Sequence, residues 1–575
     1  MAVVGVHEVV AEPYAGGRAF GEAGPAVLRR LVVRHTVDPA HPANAAIVDL
    51  ALAERGPEGL VDFDHDVVLI QPADPAAANG WALVDVVNRG GPTASAYLQL
   101  DDTPFFPQPP EPPPGDGHLL AHGWTLAFTG WQFDIRVPTL IGLRAPRLAD
   151  PGIEGPVSYT ARATSAAERL PLVLPGHRLW PPVDPEGAVL TEDGVPLPAG
   201  SWGFARAGDR PDGPVTGLHR SGGFTPAATY RVEYTTTGAV VGGCGLLALR
   251  DVGPWLREAE GMRRTVLFGV SQSGRVIRQL LHDGLNRTET GQAAHDAAMP
   301  VIAGGRRGQF NRRFAVPGTL PSDPAEVSGD PTYGALLGRA GAPLKVMAMN
   351  SSSEYWRGDG ALVAPEPNDD VRVHLVAGTQ HAPGYLPQLF SLPALGWKGR
   401  HGFNVVDYRP VLRALLTQLV AWVDGGTEPE PSTAPTADQL ATREAVLARF
   451  AADGVATPRL ASFAQPEGLV PTVDATGNEI GGIRLPEVAV PLGVHTGWNL
   501  RHADVGAPED ELFLVGASWW FSQPPCTEAE HRARADAVID DLVARRFVLP
   551  ADVERLRARV DTVWAAAIGA LPPRG

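Results

Sequence analysis

An apolar run that ends in a serine flanked by small residues constrains this chain most. The apolar run 265–270 ends within the motif Gly269-Val270-Ser271-Gln272-Ser273-Gly274, and an amphipathic stretch follows this motif directly. When a buried strand turns sharply into a helix, the serine at the apex adopts a strained conformation and only small neighbours fit beside it. The pattern predicts a nucleophile elbow with Ser271 as the attacking group. Ser273 is the rival nucleophile, and a serine that only caps a helix is the non-catalytic alternative.

The composition is that of a large globular protein. The chain has 575 residues, of which 44% are hydrophobic and 19% are charged, so it can form more than one domain and is not disordered throughout. Its net charge of −16 argues against a nucleic-acid-binding surface, which is usually basic. Two cysteines, Cys244 and Cys526, are too few for a disulfide framework or a thiolate zinc site, and their pairing stays open.

The N-terminal segment does not resemble a secretion signal, because it lacks a basic region and contains Glu8 and Glu12. No apolar run approaches the roughly 18 residues of a membrane-spanning helix. We therefore expect a cytoplasmic protein with no membrane partner. The sequence leaves its oligomeric state open.

Short apolar runs alternate with helical patterns along the chain. Strands are predicted at 66–72, 81–88, 123–131, 265–270, 297–303, 343–349 and 371–377. Helices are predicted at 246–258, directly after the elbow, at 411–423, at 438–451 and in a tail over 527–568. This alternation predicts an α/β fold with a mostly parallel central sheet flanked by helices.

Changes in composition divide the chain into four segments. Residues 1–150 are expected to form the first part of an α/β core with an N-terminal β region, and residues 241–426 its second part. Residues 151–240 alternate polar and β-forming residues between turns, which predicts a β-rich insertion. A proline-rich linker at 427–437 begins a C-terminal α+β extension, residues 427–575, which is a candidate cap.

A carboxylate and a histidine follow two later strands. Glu354 comes after strand 343–349, and His381 lies in the loop after strand 371–377. The carboxyl ends of parallel strands collect functional groups at one edge of a sheet. We expect His381 to act as general base for Ser271 and Glu354 to orient the imidazole, with Asp359 as the rival acid.

Two other histidines are interpreted structurally. His374 lies inside a predicted strand and is expected in the core. His282 lies on the helix after the elbow and is expected near the surface.

An oxyanion hole needs two backbone N–H donors. Gln272, directly after the nucleophile, is expected to supply one. The Asn88–Gly91 segment follows an early strand, and Arg89 and Gly90 are the candidates for the other. The alternative is an ordinary turn.

Further segments match a known pattern, namely Val87-Asn88-Arg89-Gly90-Gly91, Gly130-Trp131-Gln132-Phe133-Asp134, Gly269 to Arg275, Ala303 to Gly308 with Asn311, Ser353-Glu354-Tyr355-Trp356 and Gly378-Thr379-Gln380-His381. On these segments the chain resembles a large bacterial α/β-hydrolase-domain family over residues 30–425. The elbow followed by a basic residue is also similar to those of glucuronoyl and tannase-like esterases. The resemblance implies an α/β-hydrolase fold, a serine nucleophile and hydrolysis of a carboxylic ester. It implies no metal or organic cofactor and gives no substrate, because the family is chemically diverse.

Several side chains could contact a small-molecule or oligomeric ester. Arg275 could bind a substrate carboxylate, and Trp131 and Trp356 could line an aromatic pocket. Surface salt bridges and core packing are the alternatives. Two further functions stay open: acyl transfer by the same triad, and ligand binding by an inactive relative.

Overall fold

The computed structural model describes residues 2–102, 111–135, 137, 139–163, 166–173, 179, 183, 185–210, 212–226, 228–317, 332–358, 360–363, 368–463 and 467–569. These residues form two compact units. The first unit holds the described residues up to Ala298 and those within 307–326 and 335–344. The second unit holds the described residues within 299–306 and 327–334 and those from Lys345 onward.

The first unit is built on a mixed sheet. Its strands lie side by side in the order Val3–Pro13, Gly24–Val37, Val61–Pro72, Thr125–Thr129, Trp81–Val86 and Arg264–Val270. Pairing is antiparallel among the first four strands and parallel around Trp81–Val86.

The sheet of this unit is therefore mixed, and its parallel pairs lie where the sequence pattern indicated strands, at Trp81–Val86 and Arg264–Val270. The expected N-terminal β region consists of Val3–Pro13 and Gly24–Val37, joined by residues 14–23, and Gly24–Val37 is joined to Val61–Pro72 by residues 38–60. Residues 38–60 contain only the single turns Pro42–Asn44 and Leu50–Leu52. A parallel pair needs a long crossover, usually a helix, and this part of the chain has none among its described residues.

Two helices of the first unit bury apolar faces. Cys244–Glu258 and Gln272–His282 correspond to the helices predicted before and after the elbow strand. Val276, Ile277 and Leu280 of the second helix are fully buried, as their helical spacing indicated. Gly284, predicted near the end of this helix, has φ +74°, a left-handed conformation that glycine adopts readily.

The described residues within 151–240 form two small antiparallel sheets. The first has the order Val195–Pro196, Val189–Glu192, Thr229–Thr236, Gly155–Arg162. The second has the order Trp202–Arg206, Val215–Arg220, Arg169–Pro171. Side chains of Thr229–Thr236 alternate between buried and less buried positions, as expected for a strand with one face on a core.

The second unit contains a parallel pair, Lys345–Ser351 and Val371–Val376, in register from Val346↔Val371 to Ser351↔Val376. Its helices are Ser352–Arg357, Arg409–Val423, Arg443–Ala452, Pro486–Ala489, Glu528–Ala544 and Val553–Ala567. The predicted helical tail is thus two helices, with Pro550 between them.

Short strands complete the second unit. Leu440–Thr442 pairs with Leu469–Pro471, Ser391–Leu392 pairs with Trp397–Lys398, and Ala517–Trp520 lies between Gly402–Phe403 and Gly493–Thr496. Aromatic side chains join this region to the helix that carries Glu354. Trp356 and Trp498 are buried with ring centroids 6.1 Å apart, and Phe450 and Phe463 belong to the same cluster.

In the part of the chain that the structure describes, no helix is long and apolar enough to cross a lipid bilayer. Cys244 is a buried free thiol, and Cys526 is a partly exposed free thiol. Burial raises the pKa of the Cys244 thiol.

Candidate active site

Ser271 occupies the apex between the strand Arg264–Val270 and the helix Gln272–His282. Its backbone has φ 60° and ψ −116°, a combination that costs a non-glycine residue free energy. At Gly269 a Cβ atom would lie 2.7 Å from the carbonyl of Ser273, so only glycine allows the chain to double back. The strand, the strained turn and the helix predicted from the sequence are all present.

Ser273 has a structural role in this turn. Its side chain is fully buried, and its Oγ accepts the Val270 N–H at 3.0 Å and donates to the Val270 carbonyl at 2.9 Å. Both hydrogen-bonding functions of the hydroxyl are therefore used within the elbow. Ser271, in contrast, is partly exposed.

The Asn88–Gly91 segment forms a tight turn beside the elbow strand. Asn88 and Gly91 exchange backbone hydrogen bonds of 2.9 and 3.0 Å. Arg89 and Gly90 have φ 53° and 83°, as in a type I′ turn. Asn88 Nδ2 donates to the Val270 carbonyl at 2.8 Å, which fixes the turn to the residue that precedes Ser271. The parallel register of Trp81–Val86 and Arg264–Val270 brings these two loops to the same edge of the sheet.

The two central residues of this turn lie in a confined space. A Cβ atom at Gly90 would approach Leu140 Cβ to 2.9 Å. Arg89 is buried, and that burial lowers the pKa of its guanidinium to about 10, with Asp134 acting in the opposite direction. Substitutions in this turn will therefore disturb its backbone.

Asp85 orders the chain after this turn, a role that the sequence patterns did not predict. Its carboxylate accepts the N–H groups of Thr93 and Ala94, both at 2.7 Å, and the Thr93 hydroxyl at 2.8 Å. Burial raises the pKa of Asp85 to about 6, against the effect of these hydrogen bonds. An aspartate inside an otherwise apolar strand was the available signal, because a buried carboxylate needs partners.

Gln272 begins the helix after Ser271. Its side chain is buried and donates to the Pro317 carbonyl, and the first turn is closed by Arg275 N–H donating to Ser271 O at 3.1 Å. Backbone N–H groups at a helix start carry partial positive charge and bind anions. This is the chemistry that an oxyanion requires.

Trp131 and Arg275 share a neighbour in the first unit. The Trp131 ring packs edge-on against Phe310 at 5.3 Å, and the Arg275 guanidinium lies 5.9 Å from the centre of the same ring. Trp131 Nε1 donates to the Val87 carbonyl at 2.7 Å, which links it to the strand before the Asn88–Gly91 turn. Both side chains are largely buried.

Glu354 and His381 meet in the second unit. The Glu354 Oε1 atom lies 2.5 Å from His381 Nδ1, and both side chains are buried. The parallel register of Lys345–Ser351 and Val371–Val376 explains the encounter, because both residues follow the carboxyl ends of these strands. A charge-assisted hydrogen bond of this length orients the imidazole and stabilises its protonated form.

Backbone and hydroxyl contacts hold both members of this pair. Glu354 Oε2 accepts the Ser351 N–H at 3.1 Å and the Ser351 hydroxyl at 2.5 Å, so the carboxylate also closes a capping box at the start of its helix. The Tyr408 hydroxyl donates to the His381 carbonyl at 2.6 Å. Asp359, the rival acid, lies outside the described residues.

His374 and Trp356 are packed inside the protein, whereas His282 is partly exposed. His374 is fully buried, as predicted, with Nδ1 3.1 Å from the Thr433 hydroxyl. His282 is partly exposed and lies beside Asp283, at 3.0 Å. Trp356 lies in the aromatic cluster of the second unit. Among the described residues, no group of three or more His, Cys, Asp or Glu side chains is arranged to hold a metal ion.

Residues 244–558 match a family model described as "Alpha/beta hydrolase domain". No curated protein matches the chain. Two solved structures, each titled as a glucuronoyl esterase from Solibacter usitatus, are similar at 10% sequence identity and a TM-score of 0.26. Each comparison covers 64% of this chain and 80% of the other chain.

Proposed function

The chain belongs to the alpha/beta hydrolase domain family, and we propose that it is a serine esterase that cleaves a carboxylic ester through an acyl-enzyme. The observation that carries the proposal is the buried pair Glu354–His381, with 2.5 Å between Oε1 and Nδ1. A histidine held in this way by a carboxylate is suited to activate a hydroxyl nucleophile. Ser271 supports the assignment, because it stands at a strained strand-to-helix apex.

In the proposed reaction Ser271 Oγ attacks the ester carbonyl while His381 Nε2 takes the serine proton. Glu354 holds Nδ1–H and stabilises the imidazolium that forms. The imidazolium then protonates the departing alcohol, which leaves Ser271 acylated. Water, deprotonated by His381, attacks the acyl-enzyme and releases the acid, and the serine proton is restored.

The negative charge on the tetrahedral intermediate needs donors near the elbow. We assign one to the backbone N–H of Gln272, at the helix start. We assign the other to the Asn88–Gly91 turn, at Arg89 or Gly90, because Asn88 is hydrogen-bonded to the residue before Ser271.

The substrate is proposed to be a small-molecule or oligomeric ester. Trp131 and Arg275 are the candidates for contacts with it. Both lie against Phe310, so two aromatic rings and a guanidinium cation are close together. Such a combination suits an acyl or alcohol part that carries both an apolar and an anionic group.

A panel of p-nitrophenyl esters with acyl chains of increasing length tests this function. The wild-type protein is expected to release p-nitrophenol with at least one member, and Ser271→Ala is expected to lose that turnover with an unchanged circular dichroism spectrum. Turnover at the wild-type rate by the folded Ser271→Ala variant would contradict the assignment. Products formed with added alcohols or amines distinguish hydrolysis from acyl transfer.

A further inference from the structure

A buried carboxyl group from the C-terminal extension contacts the loop that carries His381. Glu479 is 3% exposed, and its Oε2 atom accepts the Gly378 N–H at 2.8 Å. The same oxygen accepts the hydroxyl of Ser352. Gly378 belongs to the segment that leads into His381, and Ser352 belongs to the helical turn that carries Glu354. One carboxyl oxygen therefore joins the two segments that supply the acid and the base.

Further hydrogen bonds join the same two segments around this oxygen. The Ser352 hydroxyl accepts the Thr379 N–H at 3.1 Å, and the Ser352 N–H donates to the Thr379 hydroxyl at 3.3 Å. The Ser353 N–H donates to the Thr379 carbonyl, also at 3.3 Å. Because Ser352 donates its own proton to Glu479, its oxygen is oriented to receive Thr379. Without the Glu479 carboxyl group, the Ser352 hydroxyl would no longer be held in the orientation that accepts the Thr379 N–H.

The position of Glu479 is itself fixed. Its neighbour Asn478 donates from Nδ2 to the Gly493 carbonyl at 3.0 Å and accepts the His495 N–H at 3.0 Å. Gly378 has φ +65°, and a Cβ atom there would lie 2.8 Å from Val488 Cγ2. The loop before His381 is thus shaped for close contact with the extension.

We propose that Glu479 is a positioning residue for the candidate base, holding the Gly378–His381 loop against the segment of Glu354 so that the imidazole keeps its orientation. The inference rests on the proposed function, in which His381 is the general base. It also assigns a role to the extension: residues beyond the proline-rich linker complete the support of the acid–base pair.

The chemistry of the buried group agrees with this role. Burial raises the pKa of Glu479 to about 7, while the hydrogen bonds from Ser352 and Gly378 lower it. The Glu479 carboxyl group accepts hydrogen bonds here, and its neutral form can also accept them through the carbonyl oxygen. A glutamine amide oxygen can accept the same two hydrogen bonds, so Glu479→Gln should preserve the support, whereas Glu479→Ala removes it.

The test compares both variants with Asp552→Ala. Asp552 is an equally buried carboxylate of the extension, but it pairs with Arg413, at 2.9 Å. With the best ester of the panel we expect Glu479→Ala to lose about 10- to 100-fold in kcat with KM within about twofold. Glu479→Gln should stay within about threefold of wild type, and Asp552→Ala should keep its kcat.

A spectroscopic measurement separates failure of this inference from failure of the proposed function. The Nδ1–H proton shared by His381 and Glu354 should give a strongly deshielded proton NMR signal, assigned by its loss in His381→Ala. We expect the signal in the wild type, in Glu479→Gln and in Asp552→Ala, and its loss in Glu479→Ala. This comparison decides the inference even if no ester is hydrolysed.

Retention of both the signal and kcat in Glu479→Ala would overturn the inference while leaving the esterase assignment intact. An equal loss of kcat in Glu479→Gln would also overturn it, because the hydrogen bonds would then not be the cause. If Glu479→Ala does not fold, Ser352→Ala breaks the same bridge at its other end. It is expected to lower kcat and weaken the signal in the same way, and an unchanged Ser352→Ala would contradict the inference.

Discussion

The Oε1 atom of Glu354 lies 2.5 Å from Nδ1 of His381, while its other oxygen accepts the N–H and hydroxyl of Ser351. Both oxygens of one buried carboxylate are thus engaged, one in orienting an imidazole and the other in beginning a helix. With Nδ1–H directed at the carboxylate, Nε2 is the nitrogen that can accept a proton. This relationship makes the local fold and the proposed chemistry depend on the same side chain.

Replacing Glu354 by glutamine is expected to lower kcat by roughly 10³-fold or more, because the neutral amide no longer stabilises the imidazolium and can favour the wrong tautomer. The amide oxygen can still serve the capping box, so folding should be retained, as circular dichroism will show. The rival carboxylate provides the control. A larger loss in Asp359→Asn than in Glu354→Gln would move the acid to Asp359.

Ser273→Ala should weaken the elbow without removing the nucleophile. The substitution deletes both hydrogen bonds between the hydroxyl and Val270, which should destabilise the fold by about 1–3 kcal/mol. The expected result is a lower midpoint of urea denaturation with reduced but measurable ester turnover. Complete loss of turnover in a folded Ser273→Ala protein would identify Ser273 as the reactive serine.

Gly90→Ala should lower kcat more than it raises KM. The new Cβ atom would meet Leu140 Cβ at 2.9 Å and would sit on a backbone with φ 83°, so the turn assigned to the oxyanion must shift. Gly80→Ala is the matched control, because Gly80 has φ 82° but precedes the other end of the strand Trp81–Val86. Equal effects of the two substitutions on kcat would remove the Asn88–Gly91 turn from the proposed oxyanion hole.

Buried histidines should make the protein less stable in mild acid. Burial lowers the pKa of His35 and of His65 to about 3, and in the second unit it lowers those of His374 and His495 to about 3. An unfolded histidine has a pKa near 6.5. Between these values the unfolded chain binds protons that the folded chain does not, so the free energy of unfolding falls as pH drops below about 6.5.

Each such histidine contributes a slope of up to about 1.4 kcal/mol per pH unit, and above pH 6.5 its contribution is flat. Asp85 and Glu479, whose pKa values are raised to about 6 and about 7, oppose this trend. Urea denaturation at pH 5 and pH 6 measures the slope. His35 is fully buried against Phe63, so His35→Leu should lower the slope by about 1.4 kcal/mol per pH unit, the effect of one proton. An unchanged slope would contradict the lowered pKa of His35.

Local periodicity and loop position predicted the elements that carry the site. The strand before Ser271, the helix after it, and the strands before Glu354 and His381 all lie where the apolar runs indicated them. The meeting of Glu354 with His381 followed from one rule, that parallel strands present their carboxyl ends at one edge. No more information than chain order and strand position was needed.

Other features depend on contacts between distant parts of the chain. The antiparallel strand Gly24–Val37 pairs with a strand on each side, and its own residues do not indicate which strands these are. Glu479 lies in a turn-rich segment with no motif, and its partners are 101 and 127 positions away in sequence. A single sequence contains no signal that joins such positions.

Reaction with a fluorophosphonate probe, followed by peptide mass spectrometry, decides whether Ser271 is the nucleophile activated by His381 and Glu354. We expect one covalent adduct, on Ser271 Oγ, at a rate that falls sharply in His381→Ala and Glu354→Gln and is lost in Ser271→Ala. An adduct on Ser273, or labelling of Ser271→Ala at the wild-type rate, would contradict this assignment.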